Sequence, residues 1–338
     1  MDHILSWSQN QLLQADLPGQ PFRRKQLYQW FHKNRVLDYS KMTNLPQDLI
    51  EYLQNHHPLP QVKPVQQQVA EDGTKKLLFA LEDDYAEAVI MEYHYGSSLC
   101  LSTQIGCRMG CTFCASTLHG LVRNITASEM LMMFYLANNY SKNRISRLVL
   151  MGSGEPLENF DQVMVFLHQI VDEDGYNLSG RHISLSTCGL PDGIRRLAQQ
   201  ELPITLALSL HAPNDNLRRQ IMPIAQAFPL NEVLAACDDY IAQTGRRVTI
   251  EYAMIEGFND TPEHARQLID LIKGKLYHVN LIPVNPIKER SFSAPERKKL
   301  VDFQNLLEAG QIRVTIRREL GSEIAASCGQ LRNQAIEK

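Results

Sequence analysis

No run of 18 apolar residues occurs anywhere in this chain of 338 residues, so no segment reads as a membrane-spanning helix. The first twenty residues lack the apolar core of a secretion signal and carry Asp2, Asp16 and several glutamines instead. No excess of one charge exists either: 34 Lys and Arg stand against 37 Asp and Glu, a net −3 at pH 7. That balance gives no sign of a polyanionic partner, although local patches count for more than totals. Cysteine is sparse, seven residues in all. With no secretory signal they are expected to be reduced thiols in the cytoplasm, used for chemistry or packing. What is plentiful is ordinary: 44% hydrophobic and 21% charged residues suffice for a sizeable core, and the length allows one large domain plus a small one.

Three of the cysteines are crowded into one glycine-punctuated loop. Cys107, Cys111 and Cys114 follow Gly106 with the spacing C-x3-C-x2-C, and the next cysteine is Cys188. Three thiolates can hold three irons of a cubane [4Fe–4S] cluster; such clusters are normally closed by four cysteines, so the fourth iron keeps a coordination position for a small molecule. The alternative is structural zinc, which usually takes four protein ligands. His94 and His119 are near enough in sequence to supply the fourth, so counting alone leaves both metals open.

The chain divides near residue 95, with residues 1–95 as an accessory domain and 96–338 as the core. Residues 1–60 read as short helices, Phe22, Leu27, Trp30 and Phe31 falling at helical spacing. A connector with Pro58 and Pro64 follows, then two strands at residues 76–81 and 87–93 with Asp83 and Asp84 in their turn. From residue 98, strands alternate with amphipathic helices. The strands are expected at residues 99–103, 147–151, 182–186, 204–210, 248–254 and 279–283, with a further one at 313–317; the helices at 128–138, 160–171, 192–199, 230–242, 262–273 and 295–308. Six βα units in series imply a parallel sheet with right-handed crossovers. They are too few for a complete eight-unit barrel, so the expected fold is an α/β partial (β/α)6 TIM-like barrel with a small N-terminal helical accessory domain.

Functional groups on such a barrel gather at the C-terminal ends of the strands. The cysteine loop follows the first strand; the second ends in Gly152-Ser153-Gly154-Glu155-Pro156, the third in Ser186-Thr187-Cys188-Gly189, the fourth in Ser209-Leu210-His211, the sixth in Asn285-Pro286. Hydroxyl, imidazole and amide groups there can bind a ribose or a carboxylate. Local basic groups, Arg23-Arg24-Lys25, Lys75-Lys76, Arg218-Arg219, Arg246-Arg247, Arg297-Lys298-Lys299 and Arg317-Arg318, are each either a solvated face or a contact for a polyanion. Cys188 and Cys237 read as small buried hydrophobes. Cys328 differs, because a tail flanked by Gly329 is a poor core position.

The cysteine loop, with Phe113 before its third thiol, resembles the signature of radical S-adenosylmethionine (SAM) enzymes. The wider set of motifs, from Phe22-Arg23-Arg24-Lys25 through Gly154-Glu155-Pro156-Leu157, Leu185-Ser186-Thr187, Ser209-Leu210-His211-Ala212-Pro213-Asn214 and Asn280 to Pro286, to Cys328-Gly329-Gln330-Leu331, resembles the RlmN/Cfr family of radical SAM RNA methyltransferases over nearly the whole length. That resemblance implies a [4Fe–4S] cluster on Cys107, Cys111 and Cys114. It implies SAM contacts at Gly154, Glu155, Ser186, Ser209, Leu210, His211 and Asn285, with two SAM molecules used per turnover. Cys328 would take a methyl group from one SAM; the 5′-deoxyadenosyl radical made from the second would activate it for addition to an adenine of 23S ribosomal RNA. Cys100 would then attack Cys328 to form a disulfide and release the base, with Glu87 as proton acceptor. Flavodoxin or ferredoxin is the implied reductant, transfer RNA a possible second substrate class, and Arg23, Arg24 and Lys25 the RNA-binding group of the N-terminal helices. Arg317-Arg318-Glu319 and Ile282-Pro283 resemble the adenine-C2 rather than the C8 type. Ser153, where methionine is common, and Ala325, where an acidic residue is usual, depart from the pattern. A zinc-stabilised RNA-binding protein without chemistry is the contrasting expectation.

Overall fold

The computed structural model describes residues 3–286 and 290–317; Cys328 and Ala325 lie outside them. Helices α1 (Gln9–Gln14), α2 (Pro21–His32) and α3 (Gln47–His56) come first, then strands β1 (Lys63–Val69), β2 (Lys75–Ala80), β3 (Tyr85–Tyr93) and β4 (Gly96–Leu101). A hairpin of β5 (Gln104–Gly106) and β6 (Leu121–Asn124) encloses the cysteine loop. The chain continues through α4 (Ala127–Asn138), β7 (Ile145–Leu150), α5 (Phe160–Val171), β8 (Ile183–Thr187), α6 (Pro191–Ala198), β9 (Thr205–Ser209), α7 (Asp215–Ile221) and α8 (Leu230–Thr244). It closes with β10 (Val248–Met254), α9 (Pro262–Ile272), β11 (Tyr277–Pro283), α10 (Arg297–Ala309) and β12 (Val314–Ile316). Among the described residues, no helix is long and apolar enough to cross a membrane.

One ten-stranded sheet runs in the order β1-β2-β3-β4-β7-β8-β9-β10-β11-β12. β4 and β7 to β11 are the six parallel strands of the expected partial barrel, with β12 added in parallel at one edge. β1, β2 and β3 extend the other edge antiparallel. The division expected at residue 95 falls in the turn between β3 and β4, which pair Tyr93 with Gly96, so the sheet runs unbroken across it.

The two faces of this sheet differ in chemistry. Leu148, Leu185, Leu206, Leu208, Ile250 and Leu281 have no exposed area and form the face under the helices. Side chains alternate along a strand, so their neighbours point the other way, into the barrel. Following the pairing across strands, that inner face reads Lys76, Val89, Cys100, Val149, Ser184, Thr205 in one row. Nearer the C-terminal ends a second row reads Ser209, Glu251, Asn280, Thr315. A lumen lined with hydroxyls, amides and carboxylates gives little packing energy; the helix-covered face supplies the core.

The N-terminal helices share that core. The Tyr28 hydroxyl donates to Gln169 at 2.9 Å and Asp172 at 2.7 Å, and His32 Nδ1 meets the Tyr135 hydroxyl at 2.8 Å, so α2 is docked on α4 and α5. His32 is fully buried, and desolvation lowers its pKa to about 3. Between that value and the ordinary 6.5 the unfolded chain binds the proton and the folded one does not, so stability is complete above pH 6.5 and falls as the solution is acidified. From pH 7 to pH 5 the loss from this one group is roughly 2 kcal/mol. Urea midpoints at the two pH values should therefore differ, and His32→Gln should narrow the difference; an unchanged slope would rule this source out.

Candidate active site

The cysteine loop is held from several sides. Gly106 has φ +74°, and a Cβ there would overlap the Gly120 carbonyl oxygen, which accepts the Cys107 amide at 2.9 Å. Only glycine lets the hairpin close so tightly. The Thr117 hydroxyl donates to the carbonyls of Cys111 (3.0 Å) and Cys114 (2.9 Å), and the Thr112 amide reaches the Ile221 carbonyl at the end of α7. Gly106→Ala is accordingly expected to cut the iron retained after anaerobic reconstitution by more than half while the circular dichroism stays that of a folded barrel.

All three thiols face one cavity of about 240 Å³ at the C-terminal ends of the strands, lined also by Gly154, Glu155, Ser186, Ser209 and His211. Burial, opposed by a backbone hydrogen bond at Met109 and aided by Cys114, pushes the Cys107 thiol up to about 12. Cys111 is raised by burial, then by Cys114 and Cys107. Such a trio cannot ionise together in a dry pocket unless cationic metal stands between the sulfurs. Ser116, also on the cavity wall, has a buried hydroxyl without a partner. Among the described residues, no three His, Cys, Asp or Glu side chains are gathered to grip a single ion. Neither His94 nor His119 lines the cavity. The donor set therefore fits an iron–sulfur cluster on three thiolates, and the described residues do not assemble the four ligands of a zinc site.

The remaining expected residues are placed unequally. Gly154 (φ +106°) lines the cavity, and a Cβ on it would stand 2.5 Å from the Gln104 Cβ. Glu155 is 3% exposed and its carboxylate is engaged: Oε1 accepts the Leu157 amide at 3.0 Å and Oε2 the Cys188 amide at 2.7 Å. It straps the end of β7 to that of β8, while its own amide donates to Gln104 Oε1 at 2.8 Å and its carbonyl accepts the Glu158 amide at 3.1 Å. Ser186 and Ser209 present hydroxyls 3.3 Å apart. His211 takes the left-handed φ of +57°, and its Nδ1 accepts the Ala253 amide at 2.9 Å. Desolvation, then Arg218, lowers its pKa to about 3, so it is a neutral imidazole whose Nε2–H is the one ring donor. Leu210 turns into the helix-covered core and Asn285 stands exposed beyond β11, both outside the cavity wall. Ser153 is buried and donates to the Gly106 carbonyl at 3.4 Å, joining the β7 turn to the cysteine loop.

Cys100 and Glu87 share the inner face, for Cys100 pairs with Val89 and Glu87 lies two residues before it on β3. Both are buried. Glu87 Oε2 lies 3.1 Å from Lys76 Nζ.

Several groups here were not singled out from sequence. Glu251, 5% exposed, lines the cavity and accepts from Asn280 at 2.8 Å; burial raises its pKa against the opposing Asn280 bond and Arg317. Its signal was the alternation of Thr249 and Glu251 with Ile250 and Tyr252. Arg218 needs a correction of the basic-patch expectation: it is wholly buried, donating to the carbonyls of Cys188 at 2.6 Å and Leu210 at 3.3 Å behind the cavity. Arg24 is half-buried and donates to the carbonyls of Leu13 and Leu17, as Arg23 does to that of Asn44. Lys76 is a second wholly buried case, set against Glu87.

The chain matches the family model of the radical SAM superfamily over residues 101–272 and that of the ribosomal RNA large subunit methyltransferase N-terminal domain over residues 5–58. A probable dual-specificity RNA methyltransferase RlmN of Symbiobacterium thermophilum is 51% identical over 331 residues, covering 96% of this chain and 89% of that protein. The protein of the same name from Clostridium perfringens is 49% identical, covering 94% and 92%. A crystal structure of a radical SAM methyltransferase from Sphaerobacter thermophilus superposes with a TM-score of 0.92 at 37% identity, over 97% of this chain and 98% of that one. A barrel rim that gathers three thiols around one cavity thus has its counterpart in sequence over almost the entire length, and the chain belongs to the RlmN family of radical SAM RNA methyltransferases.

Proposed function

We propose that this enzyme methylates C2 of an adenine in the peptidyl transferase centre of 23S ribosomal RNA and of an adenosine in the transfer-RNA anticodon loop, acting in the cytoplasm. The observation that carries the reading is the convergence of Cys107, Cys111 and Cys114 on one cavity, with the Cys100 thiol on the inner face of the same sheet. The names of the relatives, dual-specificity RNA methyltransferases, support the two classes of RNA. When bound, the cluster supplies the electron that cleaves SAM, two SAM molecules serving each turnover with flavodoxin or ferredoxin as reductant. Cys107, Cys111 and Cys114 hold it; Gly154, Ser186, Ser209 and the Nε2–H of His211 offer the polar contacts a ribose or an amino acid moiety needs. Cys328 carries the methyl group, Cys100 attacks the Cys328 sulfur to free the product, and Glu87 takes the proton leaving the ring.

The target base must reach the lumen extruded from its stack. On α2, Phe22 is 54% exposed with the Arg23 guanidinium over its ring, and Lys25 is exposed beside them. This aromatic and cationic face suits an unpaired RNA segment, and we assign residues 1–95 the accessory RNA-binding role. Mass mapping of ribosomal RNA from a deletion strain tests the reading. Loss of 2-methyladenine is the expected result; loss of 8-methyladenine would reassign the enzyme to the C8 type, and unchanged RNA would overturn the function.

A further inference from the structure

A lysine with no exposed surface is unusual unless something pays for removing its charge from water. Lys76 is such a residue, and Glu87, its partner at 3.1 Å, is itself only 5% exposed. The pair projects from β2 and β3 into the barrel, not into the helix-covered core, on the face that also carries Cys100. A pair needed only for packing would sit as well or better as two apolar side chains. Its position, on the inner face shared with the Cys100 thiol, gives it a chemical use.

We propose that Lys76 is a positioning residue for the release step: its ammonium group, 3.1 Å from the buried Glu87 carboxylate, holds that carboxylate aimed so that Glu87 can accept the proton of the target base. The proposal rests on the reading of Glu87 as proton acceptor. A charge-assisted contact of this kind is directional, and the ammonium, anchored on the neighbouring strand, fixes which way the carboxylate turns.

Single-turnover reactions of the anaerobically reconstituted enzyme with SAM, dithionite and a labelled RNA hairpin bearing the target adenine test this. Lys76→Met should lower product release by about 100-fold, the lower range for losing a general base, while labelled RNA stays covalently attached to protein on a denaturing gel. Glu87→Gln should do the same. Lys76→Arg keeps the charge and should release product within several-fold of the parent. The double variant Lys76→Met/Glu87→Gln leaves no unpaired buried charge, so it folds even where Lys76→Met does not, and it should match Glu87→Gln alone. Normal release by Lys76→Met, activity lost without any trapped RNA at full iron content, or a double variant clearly worse than Glu87→Gln would each overturn the proposal. If Glu87→Gln traps RNA and Lys76→Met does not, the role of Lys76 fails and that of Glu87 stands. If Glu87→Gln releases product normally, the reading of Glu87 fails first.

Discussion

Cys111→Ala protein, purified without oxygen, will be nearly colourless, its iron falling from close to four atoms per chain to below about one. Two thiolates cannot hold a cubane that already has one vertex without a protein ligand. The other cavity groups are poor replacements: the Nδ1 of His211 is occupied by the Ala253 amide, the Glu155 carboxylate by the amides of Leu157 and Cys188, and burial raises the Cys188 thiol well above its ordinary range. The same result is expected for Cys107→Ala and Cys114→Ala, with SAM cleavage under reducing conditions dropping to background in all three. The fold itself should survive, because β5, β6 and the loop between them lie outside the ten-stranded sheet. Iron assay and circular dichroism on the same sample check both halves. Full iron content in any of the three variants would contradict the assignment of that cysteine.

The second large effect separates the two thiols of the proposed relay. Cys328→Ala should abolish RNA methylation to background yet keep full iron content and reductive SAM cleavage, because the proposed relay gives that residue the methyl group and gives the iron to Cys107, Cys111 and Cys114. Cys100→Ala should also stop turnover, but at a later point: the carbon reaches the base, the disulfide cannot form, and RNA remains joined to the protein through Cys328. Cysteine is the strongest nucleophile among side chains, and Cys100 is buried on the lumen face. Denaturing gels of labelled RNA distinguish the two variants. Normal methylation by Cys328→Ala, or release of product by Cys100→Ala, would contradict the thiol relay.

Much of this arrangement was legible in the sequence because the barrel obeys simple periodicities. The helix expected at 160–171 and the strand at 248–254 match α5 and β10 at both ends, since each is bounded by a sharp change of composition. The connector expected from Pro58 to Pro64 runs into β1, which leaves no periodic signal: Lys63-Pro64-Val65 and the three glutamines after them are exposed or half-exposed throughout, as befits an edge strand with no buried face. The seven-residue α7 escaped notice because its one long inward side chain is Arg218, which sequence reading places on the surface. Lys76 was hidden in the same way inside a Lys-Lys pair. Cavity residues such as Ser186 and His211 could be found from their positions at strand ends, whereas Glu251 and Arg218 required the pairing of strands and the path of a loop to become visible. Buried charge is where sequence reading fails most, because the partner that makes burial tolerable is distant in the chain.

The hairpin turn at residue 95 carries one last implication, for anyone wishing to trim or exchange parts of this enzyme. A shortened protein starting at Ser97 would contain every cysteine, yet it would discard both members of the buried ammonium–carboxylate couple and leave β4 with a naked hydrogen-bonding edge. The natural place for a graft between relatives lies earlier, in the prolines around Pro58 and Pro60, ahead of β1. Chimeras joined there keep the β3–β4 pairing and the ion pair from one parent, whereas those joined at the turn split the sheet between two parents.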